Sequence, residues 1–492
     1  MNAPAKKPKY NLLYIHSDQH TPYVTGCYGD KYVKTPNLDK LAAKGVIFKN
    51  TYCPSPICTP SRMSMLTGRH PYRNDCWTNY HALDTGIPTF AHSMGAAGYK
   101  PVLFGRMHSI GPDQLRGYSE RYVGDHCSNF TESSDVDHGQ LTGTTGPNRI
   151  SLQKSGRGQN AYQVHDEDVI SATLDYINDL GAKKKDGDAS PFNLSVGLML
   201  PHQPFVARKE DYDYYENLLP EPSVKDEFND DLHPYIKEWR ERNDIKEVTP
   251  AEVKRTRAAY YALTTALDRM IGELFDALEE NDLMENTVIV YSSDHGEQIG
   301  EHSLWWKQTF YEYAVKVPCI ISCPGLLPEG KDFDEVISSL DLNATMLDLL
   351  GCPALPYSDG RSLVPLINEN KAWDNFTFSE YCTDDGYAFR MIRRDNWKLN
   401  YYHGWPVQLF NLENDPMEEK DLANDPEFAG IKHAMTKELL DGWNPVKIRQ
   451  RIVEKQQLQG IITDWAYSVN PKDQFRWKLD PEMDYLEEKI VL

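Results

Sequence analysis

No stretch of this sequence approaches the roughly 18 consecutive apolar residues of a membrane-spanning helix. Positive charge is also in short supply. Lysine and arginine total 52 against 73 aspartates and glutamates, a net charge of −21. That balance excludes nucleic acid and anionic membranes as main partners. It does not fix the sign of the field inside a pocket, where an anionic substrate needs a local nest of cations. Paired cysteines are missing too. Nine cysteines (27, 53, 58, 76, 127, 319, 323, 352 and 382) are odd in number, scattered, and never spaced Cys-x-x-Cys. Neither a disulfide framework nor a structural zinc site is read from them, and most read as small buried apolar residues. The chain shows no internal repeat and no low-complexity linker. At the N-terminus, "MNAPAKKPKYNLLYIHSDQH" sets lysines ahead of apolar residues. The run "LLYI" is too short for the apolar region of a signal peptide, so the expectation is a cytoplasmic protein.

What is present belongs to an ordinary folded protein, with 40% hydrophobic and 11% aromatic residues. A length of 492 residues exceeds what one core usually serves, so one large domain with an appendage is expected. Four β-like runs stand out: "NLLYIHSD" (11–18), "YKPVLFGRMH" (99–108), "NLSVGLMLPH" (193–202) and "TVIVYSSDHG" (287–296). Each passes from apolar residues straight to Asp, His or Arg. Alternating with helical patterns, they predict an α/β fold with a mostly parallel central sheet flanked by helices. Ligands bind beyond the carboxyl ends of such strands. Between 251 and 283, Leu263, Leu267, Met270, Ile271, Leu274 and Leu278 follow helical spacing. A second amphipathic helix is predicted over 338–353, with Pro353 close behind it. Near 385 the pattern changes to short alternating runs with turns, then a helix-like stretch, then a polar, aromatic-containing tail. The expected division is a catalytic domain over 1–384, a C-terminal antiparallel-sheet-plus-helix subdomain over 385–445, and an extended tail over 446–492 that makes oligomer or active-site-rim contacts. The "KKKDGD" run (183–188) reads as a solvated surface loop.

Two strand ends carry chemistry. "SDQH" supplies Asp18 and Gln19; "SDHG" supplies Asp294 and His295. This mostly oxygen-donor set suits Ca²⁺, Mg²⁺ or Mn²⁺ better than structural zinc. Singly, Asp18 reads as a helix cap and His295 as a surface residue; together, at the ends of neighbouring strands, they outweigh those readings. Arg62, Arg106, His108, His202 and Lys307 are the candidate cations and proton carriers. A divalent cation with such a set would hold a tetrahedral oxyanion, the chemistry of sulfuryl or phosphoryl transfer. "CPSPICTPSRMSMLTGR" (53–69) leaves Cys58 open as a buried thiol, half a disulfide, a metal ligand or the reacting group.

"CTPSR" followed by "LTGR" resembles the signature of the type I sulfatases, within the alkaline phosphatase superfamily: Cys-x-Pro-x-Arg on Cys58, Pro60 and Arg62. "FGRMH", "SDHGEQIGEHSLWWKQTFYEYAVKVPCIISCPG" and "IRRDNWKLNYY…QLFNLENDP" resemble further segments of that family, so the likeness spans roughly 10 to 425. The resemblance implies the alkaline-phosphatase-like fold and hydrolysis of a sulfate ester. Cys58 would be oxidised to Cα-formylglycine by a maturation enzyme, and its hydrate would be the nucleophile. Asp18, Gln19, Asp294, His295 and the converted Cys58 would hold one divalent metal; Ca²⁺ is expected, and the same donors admit Mn²⁺ or Mg²⁺. The resemblance assigns Arg62 to steadying the hydrate, His202 to protonating the alcohol and His108 to releasing sulfate. Arg106 and Lys307 would bind sulfate oxygens. Gln19 and His295 stand where many members carry Asp and Asn, and Arg106 replaces the usual lysine. "GRMHSIGPDQLRGYSERYVGD" and the ending "DPEMDYLEEK" are similar to choline-sulfatase-type enzymes, which implies a homo-oligomer with tail contacts. Choline or a sugar is the alcohol half this implies, and the alternative is a phosphonate monoester or phosphodiester hydrolase using the same site.

Overall fold

The four apolar runs are strands of one sheet. The computed structural model describes residues 10–130, 136–188 and 190–487; the lysines ahead of Tyr10 and the end of "DPEMDYLEEK" lie outside the described residues. In chain order the strands are β1 (Asn11–Asp18), β2 (Val46–Tyr52), β3 (Lys100–Gly105), β4 (Glu120–Tyr122), β5 (Gly156–Gln159), β6 (Phe192–Pro201), β7 (Val206–Ala207), β8 (Thr287–Ser293), β9 (Cys319–Ser322) and β10 (Lys331–Ser338). Eight of them form the central sheet in the order β10-β2-β9-β8-β1-β6-β3-β4. Neighbours are parallel except β9, which runs antiparallel to both β2 and β8.

β1, β6 and β8 are buried along their whole length, as strands covered on both faces must be. Alternate residues feed opposite layers. Leu13 and Ile15 of β1, with Ile289 and Tyr291 of β8, pack into a core that includes the helix Pro250–Glu280 through Leu263, Leu267, Ile271 and Leu274. Leu12, Tyr14, Val288 and Val290 face a second core with the helices Cys58–Thr67 and Ser339–Leu349. Thr249 and Glu252 start the long helix with a reciprocal cap ahead of Pro250.

The C-terminal subdomain is an antiparallel meander, β11 (Phe376–Cys382), β12 (Ala388–Arg394), β13 (Trp397–Tyr402) and β14 (Gln408–Asn411), backed by the helix Ala429–Leu440. Its first strand lies ahead of residue 385. The tail differs from expectation: Pro445–Val469 is a helix, and only 470–487 is extended, ending in β15 (Tyr485–Leu486), which pairs with β5. That helix buries Ile448 and Ile452 but exposes Leu458, Ile461 and Ile462, so no single apolar stripe marks it in the sequence. Lys183 to Lys185 form the last turn of the helix Ala161–Lys185, not a loop; cations at a helix C-terminus complement its dipole. No helix among the described residues is long and apolar enough to cross a membrane.

Candidate active site

The carboxyl ends of four adjacent strands, in the sheet order β8-β1-β6-β3, converge on one place. β8 delivers Asp294 and His295, β1 delivers Asp18 and Gln19, β6 delivers His202, and β3 delivers Arg106 and His108. All of these are buried, as are Cys58, Arg62 and Lys307. Gln19 and His108 adopt φ of 65° and 55°, a left-handed conformation uncommon outside glycine and concentrated at functional sites.

Cys58 is the first residue of its ten-residue helix, and Pro60 occupies the first turn, where a missing N–H costs nothing. Arg62, four residues on, shares a face with Cys58. Its Nε donates to Asp294 Oδ2 at 2.9 Å and its Nη2 to Asp18 Oδ2 at 3.0 Å. Arg106 Nε donates to the same Asp18 oxygen at 2.6 Å. Burial alone would raise the Asp18 carboxyl, but Arg106, then His202, Arg62 and Lys307, hold it well below the usual carboxylate range.

Cys58 Sγ lies 3.2 Å from His295 Nε2 and 3.7 Å from Asp18 Oδ1. One ligand atom from each of Asp18, Cys58, Asp294 and His295 falls within 4.8 Å of the others. Burial pushes the Cys58 thiol up to about 12, with Asp18 adding to the effect, which makes it a poor thiolate nucleophile. Burial lowers His295 to about 4, so its imidazole is neutral, as a metal ligand must be.

Hydrogen bonding fixes the histidine protons. His202 Nδ1 sits 2.5 Å from the Gln203 carbonyl, which only accepts, and Nε2 sits 2.8 Å from Lys307 Nζ, which only donates. His202 Nε2 is therefore bare, and the available proton is on Lys307. His108 Nδ1 faces Arg106 Nη2 at 3.1 Å. Arg106 Nη1 and His108 Nε2 are buried without hydrogen bonds, and both residues line a cavity of about 690 Å³ with Cys58, His202 and Lys307. The outer wall comes from distant sequence, including Tyr80, Tyr381, Asp384, Asp385 and Tyr467.

Every site residue named from the sequence is here. Three others at the site were not named. Gln203 accepts from Gln19 Nε2 at 2.6 Å. Glu297, pushed by burial up to about 7, takes bonds from Trp306 N and from Gln19 Nε2; it stands three residues past Asp294 in "SDHGE". Asp125 follows β4, whose three residues give too short a signal to read, and accepts the His108 N–H at 3.0 Å.

Arg62→Met leaves two buried carboxylates facing each other. We expect urea unfolding of the metal-free variant to show a loss of about 3–5 kcal/mol; a loss below about 1 kcal/mol would mean Arg62 is not what keeps the pair buried.

Residues 10–352 match the family described as Sulfatase, and residues 300–444 match the C-terminal region of N-sulphoglucosamine sulphohydrolase. The choline-sulfatase of Rhizobium meliloti (strain 1021) is 34% identical over 430 residues, 85% of this chain and 83% of that protein. Arylsulfatase K of Gallus gallus is 28% identical over 520 residues, with 98% and 89% covered. Among solved structures, the phosphonate monoester hydrolase of Agrobacterium radiobacter has a TM-score of 0.74 at 22% identity, covering 90% of this chain and 96% of that one. A 2-O GAG sulfatase has a TM-score of 0.70 at 23% identity, covering 97% and 96%. At such identities the solved structures speak for the fold alone. The first family match spans well over half of the chain and takes in all four strand ends with the Cys58 helix: the chain belongs to the sulfatase family, within the alkaline phosphatase superfamily.

Proposed function

We propose that this protein hydrolyses a sulfate ester to an alcohol and inorganic sulfate through a formylglycine made from Cys58. The observation that carries this reading is the placement of Cys58 and Arg62, on one helical turn, against the strand-end carboxylates Asp18 and Asp294. The family generally uses formylglycine and a metal ion, and the buried Asp18, Asp294 and His295 with Cys58 fit a divalent cation. Those residues, with Gln19, would hold it. When bound, it supplies positive charge that favours the nucleophile and the sulfate oxygens; Ca²⁺ suits the oxygen-rich donors best.

A hydroxyl of the Cys58-derived hydrate attacks sulfur as its proton passes to the adjoining Asp18 and Asp294 carboxylates, while Arg106 and Lys307 hold the sulfate oxygens. The S–O bond to the alcohol breaks, and the leaving oxygen takes its proton from the His202–Lys307 pair, which at rest stores that proton on Lys307 Nζ. His108 then accepts the proton of the remaining hydroxyl; the C–O bond to sulfate breaks, the aldehyde returns, and water adds to it to restore the hydrate as one proton goes back to the His202–Lys307 pair and the other is lost to solvent. That step requires a bare imidazole nitrogen, so Nδ1 must leave Arg106 once sulfate occupies the guanidinium. Splitting one displacement into two is the gain of covalent catalysis.

The outer wall bears Asp384 and Asp385 among tyrosines, and the cavity's cationic Arg106 and Lys307 lie at its floor. This favours a neutral or cationic alcohol half, such as a sugar or choline, over one bearing a carboxylate.

Three measurements test the reading. Protein made with a formylglycine-generating enzyme should give a Cys58 peptide whose mass shows an aldehyde in place of the thiol; an unmodified peptide together with no turnover of sulfate esters would sink the proposal. Lys307→Ala and His202→Ala should slow alkyl sulfates by about 10²–10⁴-fold and activated aryl sulfates far less; equal losses on both remove the pair from the leaving-group role. A screen across choline sulfate, neutral sugar sulfates and uronate sulfates should rank the uronates last, and a uronate ranked first refutes the outer-wall argument. Phenylphosphonate esters belong in the same screen, because a higher specificity constant for them makes phosphonate monoester hydrolysis the main activity.

A further inference from the structure

Residues 470–487 leave the helix Pro445–Val469 and run back over the segment that follows β4. Three consecutive residues of that segment are tied down. Gly124 N donates to the Phe475 carbonyl at 2.8 Å and Trp477 N donates to the Asp125 carbonyl at 3.0 Å. Arg476 Nε donates to the His126 carbonyl at 2.9 Å. Further along, Asn129 N donates to Asp473 Oδ1 at 2.8 Å. The Trp477 indole donates to Asp168 Oδ2 at 2.7 Å and meets the His165 ring edge-on at 5.3 Å. The approach is so close that a Cβ on Gly124 would lie 2.1 Å from the Phe475 oxygen.

What this segment carries is Asp125. One carboxylate oxygen accepts from Arg121 Nη2 at 2.7 Å and from the His108 N–H at 3.0 Å; the other lies 3.6 Å from Arg106 Nη1. Arg106 is thus strung between Asp18 on one side and Asp125 on the other. His108, in its left-handed backbone conformation, is pinned by the same carboxylate.

We propose that residues 470–487 are a strap that positions Asp125 and, through it, Arg106 and His108 at the sulfate-binding end of the cavity. Asp125 is a positioning residue: it touches no reacting atom, but it sets the aim of two groups that do. A long arginine side chain held from both sides loses little freedom when sulfate arrives, and small misplacements of such groups are costly. The inference rests on the sulfatase reading for what occupies the cavity.

The test uses full-length matured protein with Asp125→Asn, Arg476→Met, Gly124→Ala and the double variant Arg476→Met/Asp125→Asn. Calorimetry with inorganic sulfate, kcat and KM on a sulfate ester, and urea midpoints are measured for each. Asp125→Asn should weaken sulfate binding about tenfold, the scale of one charge-assisted hydrogen bond. Arg476→Met and Gly124→Ala should move affinity the same way by less, and the double variant should be no worse than Asp125→Asn alone. Tail variants that lower the urea midpoint but leave sulfate affinity and KM unchanged overturn the strap, as does simple additivity in the double variant. Should Asp125→Asn fail to fold, the tail variant Arg476→Met and the facing variant Gly124→Ala still decide the matter, since unchanged sulfate affinity and KM in both overturns the strap. The calorimetry needs no turnover, so a protein that binds sulfate but hydrolyses no sulfate ester defeats the functional reading and leaves the strap to be judged separately.

Discussion

Two carboxylates buried side by side are the constraint from which the rest of the site follows. β1 and β8 are parallel neighbours in a register that runs from Asn11 opposite Thr287 to Ser17 opposite Ser293. The next residues, Asp18 as the last of β1 and Asp294 just past β8, therefore emerge together, fully buried. Like charges at such depth persist only with cations bonded to them. Arg62 bonds both. Because Arg62 and Cys58 share a face of one short helix, satisfying the carboxylates also decides where Cys58 lies. The position of Cys58 is a consequence of charge compensation.

The same requirement explains how a chain of net charge −21 builds a cationic pocket floor. Arg62, Arg106 and Lys307 are nearly inaccessible to solvent, and each is engaged by site residues: Arg62 by two carboxylates, Arg106 by Asp18 with Asp125 nearby, and Lys307 by Gln19 and His202. Buried arginine is stabilised when its planar fork meets carboxylates on more than one side. Overall charge governs which partners approach the surface, and it carries no information about a cluster whose charges compensate internally.

The central strands were legible because burial on both faces forces near-continuous apolar runs, and each run stops abruptly where the chain reaches the polar site. The Cys58 motif was legible because it packs Cys58, Pro60 and Arg62 into five residues, whereas the helix starting at Cys58 itself shows only in the structure. Asp125 was not, since β4 is three residues long and alternates Glu120, Arg121, Tyr122; its importance comes from partners that only the fold brings near. The helix Pro445–Val469 was hidden for a related reason. Its buried contacts are few and its exposed residues include Leu458, Ile461 and Ile462, so helical periodicity never separates from background. Glu297 was visible in the sequence, but its partners were not, and without Gln19 and Trp306 beside it an acid after Asp294 looks like any other.

The cavity divides its labour along the chain. Its floor is built from strand ends, the Cys58 helix and Lys307, and its charged groups answer to one buried network in which a lost partner leaves an ion unpaired. Much of its outer wall comes from the end of β11 and the turn after it, with Tyr381, Asp384 and Asp385, and from the helix that carries Thr463 and Tyr467, with Tyr80 added from the segment after the Cys58 helix. Those residues lie outside the carboxylate–arginine network, so the wall can change while that network is kept. The extended tail joins the two regions: it departs from the wall-forming helix and bonds the segment holding Asp125. A change in the wall helix therefore has a mechanical route to the floor through the main chain at 473–477, besides the bonds of Arg451 and Lys455 to the segment 72–82.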